Sequence, residues 1–299
     1  MVQENRVIVI CGPTASGKSK MAIEIAKELN TEIISADSLA IYKNLDIGTA
    51  KPTIEERSQV KHHMIDCVNP TDNFTVGDYC EMAEPILNSL LNKGKIPIIC
   101  GGTGYYIKSL LYNFSYGNVG ANQEIRNYYQ DILNKYGKDY LFNILREKDY
   151  ETSLKLYPND TMRVIRALEI FDQTGIKKSE IKDELIPKYN YFAFTPYHER
   201  EVLYDRINQR VDIMLKNGLI EEVKSLINSG ITIDNQCMQG IGYKEVYDAI
   251  INNCFYNLGD IIKQNTRRYA KRQITFFKKL EGIEFVEDNY KSVILNKLK

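Results

Sequence analysis

The sequence predicts an α/β protein, a parallel sheet flanked by helices, with an all-helical domain inserted into it. Three observations lead there. Short apolar runs alternate with amphipathic stretches of helical length through the N-terminal part of the chain, the order expected of strands joined by crossover helices. Between residues 113 and 189 the strand signal disappears and helix-like segments follow one another. A strand-like YNYFAF at residues 189–194 then returns the chain to the sheet.

The elements follow in order. Residues 7–11 (VIVIC) form an apolar strand, and 18–29 an amphipathic helix. Residues 32–36 make a second strand, 76–91 a second long helix and 96–100 (IPIIC) a third strand. MIDCV, after His62 and His63, is also strand-like. The inserted domain carries helical patterns at 123–135 and 160–174, and long amphipathic segments occupy 200–280. The expected division is a core of 1–112 and 190–299 with an inserted domain of 113–189.

Bulk composition narrows the function classes. With 299 residues and 43% apolar content the chain can bury a large core without disulfide or metal staples. Lys plus Arg and Asp plus Glu both number 39, so a nucleic-acid site would have to be a local patch. No apolar stretch reaches membrane-spanning length, and the start lacks the basic and apolar regions of a signal peptide. The six cysteines are scattered without zinc-ligand spacing, as expected of reduced thiols in a cytoplasmic protein that needs no zinc. His62 and His63, being adjacent, point differently from either a helix or a strand and are expected to be structural.

The strongest motif is GPTASGKS: Gly12, Pro13, Thr14, Ala15, Ser16, Gly17, Lys18 and Ser19 match G-x-x-x-x-G-K-[ST] between a strand and a helix. Gly12 and Gly17 let the backbone wrap closely, so that N–H groups and the helix N-terminus face an anion. Lys18 supplies charge for phosphates and Ser19 a hydroxyl for Mg²⁺. The fold is therefore expected to be P-loop NTPase-like. An ordinary P-loop hydrolase would close a second strand with an Asp for Mg²⁺. Here IPIIC runs into Gly101-Gly102-Thr103-Gly104, and the acid at a nearby strand end is Asp37, in EIISAD.

Further blocks carry a resemblance. ISADSLAIYKNLDIGTAKP, HHMID, GGTGYYIKSLL, PNDTMRVIRALEIF, LYDRINQRVDIMLKNGL, CMQGIGYKE and TRRYAKRQITFFKK, in that order, resemble the tRNA dimethylallyltransferase (tRNA isopentenyltransferase) family of bacterial type. The resemblance implies transfer of a dimethylallyl group from its diphosphate to N6 of the adenine beside the anticodon, with the phosphate loop turned to a prenyl diphosphate. It implies Mg²⁺ on Ser19 and a tRNA anticodon stem-loop as partner; the chain is expected to act as a monomer.

Site residues follow from the blocks. An adenine amine is a poor nucleophile, so a base beside N6 would help; Asp37 stands at the strand ends where α/β proteins bind ligands, with a Mg²⁺ contact as its rival role. The resemblance places Thr14 near the bridging oxygen and Arg210 on the diphosphate. On a helical wheel Arg210 falls beside Leu203 on the apolar stripe of Ile207, Val211 and Met214. There it needs an anion, either the diphosphate or a structural partner such as Glu221 or Asp212, with Arg206 one turn earlier as the other candidate for diphosphate.

For RNA, a flipped adenine would meet Ser38, Leu39 and Ala40, the last standing where many members carry Gln. Thr103, Arg126, Met162, Arg163 and Arg166 are the implied tRNA contacts. An Arg166–Glu169 pair on an exposed face is the competing structural reading. Gln239, Gly240, Ile241, Gly242, Tyr243 and Lys244 make a Gly-rich loop suited to RNA, or a plain helix start. Arg268, Lys271, Arg272 and Lys279 share a helical face opposite Tyr269, Phe276, Phe277 and Leu280, which suits a phosphate backbone. Rival readings are an adenylate isopentenyltransferase using free AMP or ADP, a small-molecule kinase, and a tRNA-holding protein without chemistry.

Overall fold

The computed structural model describes residues 5–113, 119–181 and 186–298. They divide into two compact units, one running to Leu111 and resuming at Pro187, the other spanning Tyr112–Ile186.

The first unit is built on a six-stranded parallel sheet. Its strands are β1 (Arg6–Cys11), β2 (Ile33–Ser35), β3 (His62–His63), β4 (Ile98–Gly101), β5 (Asn190–Pro196) and β6 (Ile283–Val286), ordered β3-β2-β4-β1-β5-β6. In the middle, β1 pairs with β4 through Cys11 opposite Gly101, and with β5 through Val7 opposite Tyr191. Val7 to Cys11 have no exposed surface, because helices cover both faces of such a sheet. That is why the strand reads as an unbroken apolar run.

Helices α1 (Lys18–Glu28), α2 (Ile54–Gln59), α3 (Val76–Asn92) and α4 (Gly104–Leu111) precede the second unit. Met21, Ala22 and Ile25 of α1 pack on Ile8, Ile10, Ile33 and Ile98 of the sheet. Within the second unit, α5 (Gln123–Tyr136), α6 (Lys138–Lys148), α7 (Tyr150–Ser153) and α8 (Thr161–Thr174) enclose a separate core of Tyr129, Leu141, Leu145, Val164, Ile165 and Leu168. The chain then continues through α9 (Arg200–Lys216), α10 (Leu219–Asn228), α11 (Tyr243–Ile251), α12 (Leu258–Phe277) and α13 (Tyr290–Lys297) in the first unit. Among the described residues no helix is long and apolar enough to cross a membrane.

Two elements differ from the sequence reading. MIDCV is not a strand; the strand is His62–His63 itself, because Met64 (φ 61°) and Asp66 (φ 55°) take left-handed backbone that ends pairing. Asp66 is turned instead onto Lys51 Nζ at 2.6 Å and Arg57 Nη1 at 2.7 Å. The pair β6 and α13 was not foreseen. Val286 and Ile294 complete the core around Phe194 and Ile23, but IEFV is only four residues long and lies between polar turns. His63 is structural, its Nε2 lying 2.7 Å from Glu32 Oε2, which Lys95 also binds on its other oxygen at 3.1 Å.

Candidate active site

The phosphate loop is shaped by its neighbours. Gly12 sits at φ 145°, and a Cβ there would come 2.5 Å from Thr195 Oγ1 on the adjacent strand; no larger residue fits. Gly17 (φ 88°) caps α1, and Ala15 also turns left-handed at φ 62°. Pro13 carries its carbonyl to Lys18 Nζ at 3.2 Å. Ser16 is buried and its hydroxyl has no partner among the described residues.

Thr14, Lys18 and Ser19 line a cavity of about 420 Å³. Ala15 and Gly17 instead line a neighbouring hollow of about 840 Å³ that shares Lys18, Ser19 and Arg210 with the first. The loop therefore has open space on two sides.

Asp37 comes into the cavity from the end of β2. Ala36 N–H bonds to Cys100 O at 2.8 Å, and a Cβ on Gly101 would lie 2.0 Å from Ala36 O. The absence of a side chain at Gly101 thus lets the two strand ends close up, carrying Asp37 beside the phosphate loop. Its Oδ1 accepts N–H bonds from Leu39 (3.0 Å) and Ala40 (3.2 Å). Oδ2 takes no hydrogen bond among the described residues, and Asp37 lines the cavity with Ser38, Leu39 and Ala40. Thr103 does not line it. Its Oγ1 accepts from Ser38 N–H at 3.0 Å, so it steadies the residue after Asp37.

Arg210, on α9, faces the same cavity. Neither structural partner weighed for it is used: Asp212 pairs with Lys263 at 2.6 Å, and Glu221 does not bond Arg210. Its Nη2 donates to Thr49 O at 3.3 Å, while Nε is buried without a partner among the described residues. Burial lowers the Arg210 pKa, with the Asp37 charge opposing. Lys18 is likewise lowered, first by burial and then by the Arg210 charge. Both cations are thus disfavoured by burial at one cavity, and Lys18 further by the Arg210 charge, which an anion bound there would relieve. Arg206 is exposed, donates from Nε to Ala15 O at 2.8 Å and lines the neighbouring hollow.

The Gly-rich segment contributes only in part. Gln239, Gly240, Ile241 and Gly242 line the cavity, with Gly240 so close to Leu39 that a Cβ would meet it at 2.4 Å. Tyr243 is turned inward, fully buried, its hydroxyl donating to Glu222 Oε1 at 2.6 Å. The same carboxylate accepts from Asp46, Ile47 and Gly48 N–H groups, fixing the loop that presents Thr49. Lys244 is exposed.

On α12, Tyr269 faces the cavity rather than joining the apolar side with Phe276 and Phe277. Arg272 also lines it, its guanidinium 5.6 Å from the Tyr269 ring. Sequence reasoning passed over Gln273, which is 6% exposed, lines the cavity and bonds to Thr14 and Gly102. A signal was present, for Gln273 lies on the buried stripe of Ala270 and Phe277 at helical spacing.

In the second unit the basic residues separate. Arg126 binds the fully buried Glu169 in two-pronged fashion, Nε at 2.8 Å and Nη2 at 3.1 Å. Arg166 reaches the same carboxylate at 2.5 Å, so the Arg166–Glu169 pair is formed. Met162 and Arg163 are exposed, and Arg163 has no ion-pair partner among the described residues.

Comparison with known proteins bears on what this arrangement is. The family model described as IPP transferase matches residues 40–280. A tRNA dimethylallyltransferase of Thermoanaerobacter sp. (strain X514) is 43% identical over 294 residues, 96% of this chain and 93% of that one. One from Acetivibrio thermocellus is 44% identical over 286 residues, covering 94% and 91%. The crystal structure of a tRNA isopentenylpyrophosphate transferase from Bacillus halodurans superposes with TM-score 0.74 at 38% identity, over 99% of this chain and 96% of that one. A eukaryotic dimethylallyltransferase acting on tRNA gives 0.81 at 31% identity, over 94% and 73%. By sequence and by fold, the chain belongs to the IPP transferase family, among the tRNA dimethylallyltransferases.

Proposed function

We propose that this chain transfers a dimethylallyl group from dimethylallyl diphosphate to N6 of the adenine beside the anticodon in tRNA, releasing diphosphate. The observation that carries the reading is the shared cavity: Lys18, Arg210 and Asp37 line it together, and among the described residues the Arg210 Nε and the Asp37 Oδ2 have no hydrogen-bond partner. Cations that form no ion pair among the described residues suit a diphosphate leaving group. A carboxylate oxygen with no bond to lose suits a base.

In the reaction, the bond between the allylic carbon and the bridging oxygen breaks as the bond from that carbon to N6 forms. The N6 proton passes to Asp37 Oδ2, and the bridging oxygen leaves with the diphosphate. Lys18, Arg210 and the loop N–H groups hold the departing charge, and Thr14, which lines the cavity, donates its hydroxyl to the bridging oxygen. Ser19 has the hard oxygen donor that Mg²⁺ takes and stands beside Lys18 on both hollows; the ion, when bound there, supplies positive charge to the diphosphate oxygens.

The adenine is presented flipped from its loop, against Ser38, Leu39, Ala40 and the Gln239–Gly242 segment, with Tyr269 as an aromatic neighbour. Arg163 and Met162 offer an exposed surface for the tRNA stem-loop. The chain acts in the cytoplasm, in keeping with its six free cysteines.

The test is incubation with dimethylallyl diphosphate, Mg²⁺ and unmodified tRNA, with AMP as a control acceptor. Prenylated adenine in tRNA by mass spectrometry is expected. Its absence, or faster turnover on AMP, overturns the reading.

A further inference from the structure

Gln273 is a polar side chain held inside an otherwise apolar helix stripe, and both ends of its amide are used. Its Oε1 accepts the Thr14 N–H at 2.9 Å, and its Nε2 donates to Gly102 O at 2.9 Å. The site is built tightly around it, since a Cβ on Gly102 would lie 2.4 Å from Nε2. Gly102 leads to Thr103, whose hydroxyl accepts the N–H of Ser38, next to Asp37. One buried amide therefore stands between the donor-binding loop and the segment carrying the base.

The bond to Thr14 has a chemical effect. In a phosphate loop every backbone N–H turned toward the anion competes for it, yet here the Thr14 N–H is already taken by a side chain. Held by its own backbone, Thr14 is left to offer its hydroxyl to the cavity. We infer that Gln273 is a positioning residue, fixing the Thr14 hydroxyl relative to Asp37 so that departure of the leaving group and loss of the N6 proton occur in one geometry. The inference rests on the prenyl-transfer reading. Glutamine suits the place because it accepts from one side and donates to the other, which neither Glu⁻ nor an apolar isostere can do.

Three variants test it, with the wild-type enzyme as reference; a wild type that does not prenylate tRNA refutes the activity itself, not the role of Gln273. Gln273→Met keeps the volume and leaves both backbone groups unpartnered. It is expected to lower kcat by about 10- to 100-fold, as misplacement of reacting groups by up to about 1 Å does, with the KM for tRNA unchanged within about twofold. Gln273→Glu can still accept from Thr14 but donates to Gly102 only when protonated. Its activity relative to wild type at the same pH should rise as pH falls, a signature that mere packing would not give. Should Gln273→Met not fold, Gly102→Ala displaces the amide while keeping Gln273, and the same loss of kcat is expected. Folded variants with kcat within about twofold of wild type, or a Gln273→Glu ratio flat with pH, overturn the inference.

Discussion

Arg210 donates to the carbonyl of Thr49 through Nη2 at 3.3 Å, and its buried Nε has no partner among the described residues. An arginine so held is oriented but not neutralised. Replacing it with Ala should raise the KM for dimethylallyl diphosphate and lower kcat, for a loss in kcat/KM of about 10²–10³, the cost of one donor to developing charge. Arg210→Lys should recover little, since Lys lacks the fixed fork. Arg206→Ala, at an exposed residue bonded to Ala15, should cost less than a tenth of that loss. Steady-state kinetics with varied diphosphate separates the two.

Asp37→Asn keeps an oxygen for the Leu39 and Ala40 N–H groups and removes the carboxylate proposed as the base. The expected result is a kcat lower by about 10²–10⁴, the usual contribution of a positioned base, with tRNA affinity nearly intact. Single-turnover prenylation alongside filter binding measures both.

Lys18 has its pKa lowered by burial and by Arg210. The charged form is present below the shifted pKa and is lost as pH rises through it, sooner than for an ordinary lysine. The KM for dimethylallyl diphosphate should therefore climb on the alkaline side, and binding of the diphosphate there should take up a proton. Calorimetry in buffers of different ionisation enthalpy detects the uptake, and Lys18→Arg should remove it.

Glu32 is pushed up by burial, yet bonds from His63 and Lys95 prevail and hold its pKa at about 2. With the unfolded value near 4.5, its stabilisation is complete above that pH and is lost as pH falls through about 2. Glu32→Gln should destabilise the protein by roughly 2–3 kcal/mol at pH 7, and by progressively less below pH 4.5. Chemical denaturation at several pH values checks this.

In the helical unit, Arg126→Ala and Arg163→Ala should have opposite signatures. The first strips a partner from buried Glu169 and should cost about 3 kcal/mol in stability. The second should leave the melting temperature unchanged, weaken tRNA binding and reduce the salt slope by about one. Thermal melts and binding across a salt series distinguish them.

How far the sequence spoke depended on how local the cause was. The phosphate loop, β1, β2, β4 and the long helices announced themselves through glycine spacing and periodicity, both short-range properties. Asp37 was legible because it ends a strand, and Arg210 because a cation interrupts an apolar stripe. Tyr243 was misplaced because its inward turn depends on Glu222, and Gln273 escaped because its partners are 259 and 171 residues away in sequence. The fate of Arg126 was undetermined for a related reason, its carboxylate Glu169 lying 43 residues away, whereas the Arg166–Glu169 pair, three residues apart on one helix, was legible but its burial was not.

The order of strands has a consequence for synthesis. β1 is complete within the first residues to leave the ribosome, but one of its two neighbouring strands is β5, which begins at Asn190, and its loop leans on Thr195 and Gln273. The phosphate loop, though written first, takes its final shape only when nearly the whole chain has been made. Until then a strand apolar from Val7 to Cys11 stands with one edge unpaired, the kind of edge that recruits other chains, so nascent chains stalled before residue 190 should be the aggregation-prone ones.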